Sequence, residues 1–134
     1  MKLKTKNNLQ LGLLIFSVLV LDQLTKFIAV KFFEISCNRG GAFGISGNFA
    51  VISILVLIVV LWLFLKEKNR LNLVALSLVF SGGFSNLIDR FTVGCVRDFV
   101  DFKVFPSFNL ADTAITVGAI LIFYNLIFAN KDEA

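Results

Sequence analysis

The sequence predicts an all-α membrane protein: four transmembrane helices with a small extracytoplasmic region of loop and β-like character, in a single integral membrane domain over residues 1–134. Hydrophobic residues make up 57% of the chain, above the roughly 45–50% of soluble domains, a figure that already counts glycine. The apolar residues fall into runs at about 10–30, 49–65, 71–88 and 110–129, each near the roughly 20 residues that cross a bilayer. Between those runs stand polar connections, and Ser81 to Thr113 packs Asp89, Asp98, Asp101, Asp112, Arg90, Arg97, Asn86 and Asn109 between two apolar segments.

The first element opens with Lys2, Lys4 and Lys6 and no acidic residue, then turns apolar from Leu11 to Leu21. Basic then apolar is the pattern of a signal peptide, but no small-x-small cleavage site follows. Instead the run continues through Asp22-Gln-Leu-Thr-Lys26 to Val30, which predicts a spanning helix. Asp22 and Lys26 are four apart and share a helix face. They are either a mutually neutralising pair near the membrane surface or an acid held at the mouth of a site; spacing alone leaves both open. Asn38-Arg-Gly-Gly-Ala-Phe43-Gly is too rich in glycine for a good helix and reads as a flexible loop, short strands or a tight turn.

Phe49 to Leu65 carries no charge and is the cleanest span. Lys66-Glu-Lys-Asn-Arg70 closes it as a hairpin between antiparallel helices. The third run, from Leu71, becomes small and polar at Ser81-Gly-Gly-Phe-Ser-Asn86. Small residues there let helices approach closely in lipid, so Gly82 and Gly83 read as packing contacts. Asn86 and Arg90 share a face. In Phe91 to Phe108 the alternation Val96, Asp98, Val100, Phe102 suggests one short strand. Asn109 is a candidate N-cap, and Asp112 three residues on would sit in the first helical turn, where the helix dipole favours a carboxylate. The fourth span follows from Leu110.

With four spans, Lys2, Lys4, Lys6, Lys66, Lys68, Arg70 and Lys131 fall on one side, and Lys26, Lys31, Arg39, Arg90, Arg97 and Lys103 on the other. The bias is weak, but basic residues ahead of the first helix usually set orientation. Both termini are therefore expected in the cytoplasm and the polar cluster at the outer face.

The chain has no histidine, which excludes Ser-His-Asp and Cys-His nucleophiles and His-rich zinc sites. Cys37 and Cys95 are too few for a four-cysteine metal site. They pair only if both lie outside the cytoplasm, and the expectation is two unpaired, inert thiols. The net charge of +4 is spread without a basic stripe, which argues against nucleic acid. No metal or cofactor is expected.

Charged groups in such apolar surroundings cost roughly 2.5–3.5 kcal/mol each on insertion scales and by default mark function. Two carboxylates close enough to share a proton cannot both ionise, so one acts as base on a water while the other polarises a carbonyl. That chemistry hydrolyses a peptide without histidine, metal or covalent intermediate. Asp89, Asp98, Asp101 and Asp112 are all candidates on composition. A small proton-coupled transporter or channel component is the alternative, since intramembrane acids also serve proton paths. A Ser-Lys dyad, using Ser36 or Ser46 with Lys26 or Lys31, is a weaker reading, and a cysteine nucleophile weaker still.

The motifs Asp22-Gln-Leu-Thr-Lys26, Asn38-Arg-Gly-Gly-Ala-Phe43, Asn86-Leu-Ile-Asp-Arg90, Gly94-Cys-Val-Arg-Asp98-Phe and Phe108-Asn-Leu-Ala-Asp112 stand in an order that resembles the lipoprotein signal peptidase (signal peptidase II) family, over nearly the whole chain. The resemblance implies an aspartyl protease of the bacterial cytoplasmic (inner) membrane, acting on lipid-modified prolipoproteins just before the diacylglyceryl-modified cysteine. It implies Asp98 and Asp112 as the catalytic pair. Asp22, Asn38, Asn86, Arg90 and Asn109 would line the site and hold substrate or the pair, with Lys26 supporting Asp22. Asp89 would be structural, paired locally with a base, and Asp101 a solvated loop acid. Membrane lipids are the other expected partner; the oligomeric state stays open, a monomer being plausible. Ser81 and Ser85 depart from the family pattern, which has glycine at both. A helix absorbs a serine hydroxyl by bonding it to its own backbone, and Ser85 is the position where a close substrate approach would be tighter.

Overall fold

The computed structural model describes residues 2–40 and 49–128. Four helices follow one another: α1 (Lys2–Phe32), α2 (Phe49–Lys66), α3 (Arg70–Thr92) and α4 (Leu110–Phe128), with short strands β1 (Ser36–Asn38) and β2 (Val96–Asp98) in the long connections. All four helices are long and apolar enough to cross a membrane. The glycine-rich residues 41–48, with Ser46, lie outside the described residues, as does the tail after Phe128.

The central helix is α3, which packs against α1, α2 and α4. Nearly half of its most apolar window, 44%, is buried, against 17% or less in the other three. The outward faces of those three are rows of exposed apolar side chains, among them Leu13, Phe16, Leu55, Ile58, Trp62, Ile120 and Phe123. Such faces suit a hydrocarbon solvent, in which helices satisfy their own backbone groups. Close approach of α3 to α4 depends on glycine at two places. A side chain on Gly82 would run into the Ala111 carbonyl, and one on Gly118 would meet the Ala75 carbonyl at 2.6 Å. Gly82 is thus the packing contact that its neighbourhood in the sequence suggests.

The hairpin between α2 and α3 is held at both ends. Asn69 caps α3, accepting from the Leu71 and Asn72 amides, and Glu67 accepts from the Lys68 and Asn69 amides. At its other end α3 runs on past Ile88 to Thr92, further than its apolar run suggests, because Asn86, Asp89 and Arg90 find partners inside the bundle. Gly94, at φ +85°, ends it: the amides of Val93 and Gly94 both return to the Asp89 carbonyl.

Beyond α3 the chain forms β2, antiparallel to β1 in the register Ser36 to Asp98, Cys37 to Arg97 and Asn38 to Val96. This pairing brings Cys37 and Cys95 to a Cα separation of 5.4 Å, and the two form a disulfide. The expectation of two unpaired thiols is therefore corrected. The strand register, which sets Cys37 opposite Arg97, closes the 58 residues between the two cysteines in space. After β2, Val100 and Phe108 form an antiparallel bridge, and the loop between them folds over itself, with Phe102 and Phe105 against Phe108.

Candidate active site

The site is assembled at the ribbon end of the bundle from α1, α3, β2 and the start of α4. Asn109 organises it. As N-cap of α4 its side-chain oxygen accepts the Asp112 amide at 2.8 Å, and its own amide donates to Asp112 Oδ2 at 3.2 Å. This reciprocal cap leaves the Asn109 amide group free to donate to Asp98 Oδ1 at 2.8 Å and to Asn86 Oδ1 at 3.1 Å. Asn86 in turn donates to Asp112 Oδ1 at 2.8 Å. Asp98 and Asp112 thus share one cradle of two carboxamides. Asp98 is 2% exposed; burial, and then the charge of Asp112, raise its pKa to about 6, against hydrogen bonds from Asn38 and Asn109 that lower it.

Behind the cradle lies a buried ionic cluster. Lys26 and Asp22 pair at 2.6 Å, and both are wholly inaccessible. Lys26 also donates to Asn86 Oδ1 at 2.9 Å and lies 3.3 Å from Asp89. The free Asp22 oxygen accepts the Ala111 amide at 2.8 Å, so a carboxylate from α1 caps the first turn of α4. Asp89 is held by Arg97 at 2.7 Å through the side chain and at 2.9 Å through the backbone amide. Its role is the local pairing that the sequence suggests. Asp101 pairs with Lys103 in the exposed loop, away from the cradle.

Of the two readings of Asp22 and Lys26, the pair is neutralising but buried within the bundle, and both side chains are wholly inaccessible. Asn86, Arg90 and Asp112, with Ser53, Leu57 and Gly83, line a cavity of about 290 Å³ that separates α2 from α4. Arg90 donates to Ser53 at 3.2 Å, while its Nε is buried without a partner. Asn38 bonds the Gly40 amide at 2.8 Å besides reaching Asp98. Among the described residues no group of three or more Asp, Glu or Cys side chains is placed to hold a metal ion.

Three contributors escape a reading by motif. Gln23 donates to Ser85 Oγ at 2.9 Å and Asp89 at 3.0 Å, and accepts from Arg97 at 2.9 Å. Ser53 is the one polar residue ahead of Lys66 in α2, and that isolation in an apolar run is a signal. Ser85 donates to Asp22 at 2.6 Å. Its hydroxyl joins the ionic cluster, whereas Ser81 bonds its own helix at Leu78, 3.1 Å away.

Fold and site together define a polytopic membrane protein with a paired-carboxylate centre at one end of its helices. The sequence matches the signal peptidase (SPase) II family over residues 14–128. It is 41% identical to the lipoprotein signal peptidase of Caldanaerobacter subterraneus subsp. tengcongensis, across 83% of this chain and 91% of that one. To the lipoprotein signal peptidase of Borreliella afzelii it is 32% identical, across 98% of both. Its backbone resembles that of a bacterial membrane enzyme solved in meso at 2.3 Å, with a TM-score of 0.82 and 33% identity over 93% of this chain and 92% of that one. The chain belongs to the signal peptidase II family.

Proposed function

We propose that this protein is an aspartic endopeptidase that removes signal peptides from diacylglyceryl-modified prolipoproteins, cutting before the lipidated cysteine, with Asp98 and Asp112 as its catalytic pair. The observation that carries this reading is the cradle in which Asn109 bonds both carboxylates. Charge balance supports it. Asp22 and Asp89 are matched by Lys26 and Arg97. That leaves Arg90 beside Asp98 and Asp112, and the group is neutral when the pair holds one proton. A buried site favours that state, because an uncompensated charge is costly there.

Asp98, with its raised pKa, is assigned the proton and Asp112 the charge. Asp112 takes a proton from the attacking water as it adds to the scissile carbonyl, while Asp98 donates a hydrogen bond to the developing oxyanion. The proton on Asp112 then passes to the departing amine as the C–N bond breaks. Arg90 and Asn86, facing the cavity between α2 and α4, hold carbonyls of the segment before the cut. Asp22 and Lys26 act at one remove, Asp22 by fixing the start of α4 and Lys26 by orienting Asn86.

The protein is placed in the bacterial cytoplasmic membrane with both termini inside and the pair at the outer face. The lysines of the N-terminus and of the α2–α3 hairpin support this orientation. So does the disulfide beside the site, since such bonds persist outside the cytoplasm. The test is purified protein in detergent with a diacylglyceryl-modified precursor and no ion gradient, read by mass. Two products, one beginning with the lipidated cysteine, are expected. An intact precursor would overturn the reading and return the transporter alternative.

A further inference from the structure

A second cavity meets the first at Asp112. It measures about 420 Å³ and lies between the loop after β2, at Phe105, Pro106 and Phe108, and the first turns of α4, at Thr113, Thr116 and Val117. We propose that this cavity receives an acyl chain of the substrate's diacylglyceryl group; the inference rests on the peptidase reading above.

The two cavities differ in the hydrogen bonds that they offer. The one between α2 and α4 presents Asn86 and Arg90, whose Nε has no partner, and so can serve the carbonyls of a peptide. In the second, the hydroxyls of Thr113 and Thr116 are engaged with the backbone carbonyls of Asn109 and Asp112. Apart from Ser107 and the shared Asp112, its other walls are hydrocarbon. A peptide backbone there would leave groups unpaired in apolar surroundings, whereas an acyl chain has none to satisfy. The loop at its rim is also apolar and open, with Phe102 66%, Val104 92% and Phe105 64% exposed. Such side chains at the outer face fit the level of lipid headgroups and upper acyl chains.

Substrate chemistry sets the direction. The lipidated cysteine is the residue after the cut, so its lipid must leave the carboxylate pair on the side opposite the signal peptide. With the peptide in the cavity holding Arg90, the only other cavity that Asp112 lines among those described is the one beside the loop. Its volume lies within the range of small-ligand sites, about 300–1,000 Å³.

The experiment compares kcat/KM for two synthetic precursors of one sequence, carrying S-dipalmitoylglyceryl or S-diacetylglyceryl cysteine, in detergent micelles. Wild-type protein should favour the long-chain substrate by about tenfold or more, the worth of roughly two buried methylenes. Val117→Phe, which fills the cavity, and Phe105→Ala, which removes an exposed wall, should each bring that ratio towards one. Val56→Phe, in the other cavity, should lower cleavage of both substrates and keep the ratio. A wild-type protein indifferent to chain length, or a ratio unmoved in Phe105→Ala, overturns the acyl assignment. If Val117→Phe fails to fold, Phe105→Ala decides, its side chain being at the surface. Absence of cleavage of either precursor by wild-type protein would instead sink the peptidase reading.

Discussion

Asp98 is the residue where function and stability pull apart. Its folded pKa, about 6, stands above the ordinary 3.8, so the folded state binds this proton more tightly than the unfolded chain does. The favourable contribution is complete below about pH 4 and is lost as the pH rises through about 6. Asp98→Asn keeps the shape and the bond from Asn109 but does not titrate. It is expected to abolish turnover and to raise the thermal midpoint at pH 7–8; the gain should vanish near pH 4. A melting series of both proteins across pH, beside a cleavage assay, checks this; wild-type turnover in Asp98→Asn would remove the residue from the mechanism. In the active protein, kcat/KM should fall above about pH 6 as the singly protonated pair is lost, the apparent value belonging to the pair. Lys26→Met carries a different expectation. It leaves Asp22 without its cation and removes one of the two donors to Asn86 Oδ1, so a loss of about 3–5 kcal/mol is expected, read as a lower melting midpoint together with slower turnover.

At the scale of elements, the ribbon β1–β2 and the N-terminus of α4 carry the two catalytic candidates, and each is anchored from elsewhere. The disulfide closes a loop of 58 residues. The chain-entropy account gives such a closure roughly 4 kcal/mol in a soluble protein, an upper bound here because the inserted helices already restrict the chain. The double variant Cys37→Ser, Cys95→Ser should melt earlier yet turn over at low temperature, since the strand pairing and the Asn109–Asp98 bond do not depend on sulfur. Dithiothreitol should reproduce the shift in wild-type protein and leave the variant unmoved; sensitivity of the variant to reductant would contradict the assignment. Element boundaries also show what a sequence conceals. The apolar run of α3 stops near Ile88, but the helix continues to Thr92, because Asp89 is held by Arg97 and Arg90 reaches Ser53 inside the bundle.

For the whole molecule, orientation is the testable property. With Cys37 and Cys95 joined, a single added cysteine is the reactive thiol. Ser107→Cys, beside the site, should react with an impermeant reagent in intact cells, and Lys68→Cys, in the α2–α3 hairpin, only after the membrane is opened. The reverse pattern would invert the topology and end the case for processing exported lipoproteins. The central place of α3 explains why the site lies where it does: α1 brings Asp22 and Lys26 to one flank, α4 brings Asp112 to another, and a cavity lies between α2 and α4.

The sequence by itself determined what is encoded within a turn or two of chain: four apolar runs, the Asn109 cap with Asp112 in its first turn, the short strand at Val96, and the order of motifs that marks the family. Hydrophobic length and local capping act between neighbours, so they can be read without a fold. Tertiary structure decided the long-range partners. Asp22 meets the Ala111 amide 89 positions away, Ser85 meets Asp22 rather than its own helix, and Cys37 meets Cys95. Asp22 and Ser85 each have a local alternative of similar chemistry, and the choice falls to whichever group helix packing has buried without a partner, because in a medium without water an unsatisfied polar group costs more than the local bond gains; Cys37 has none, and the strand register alone brings it to Cys95.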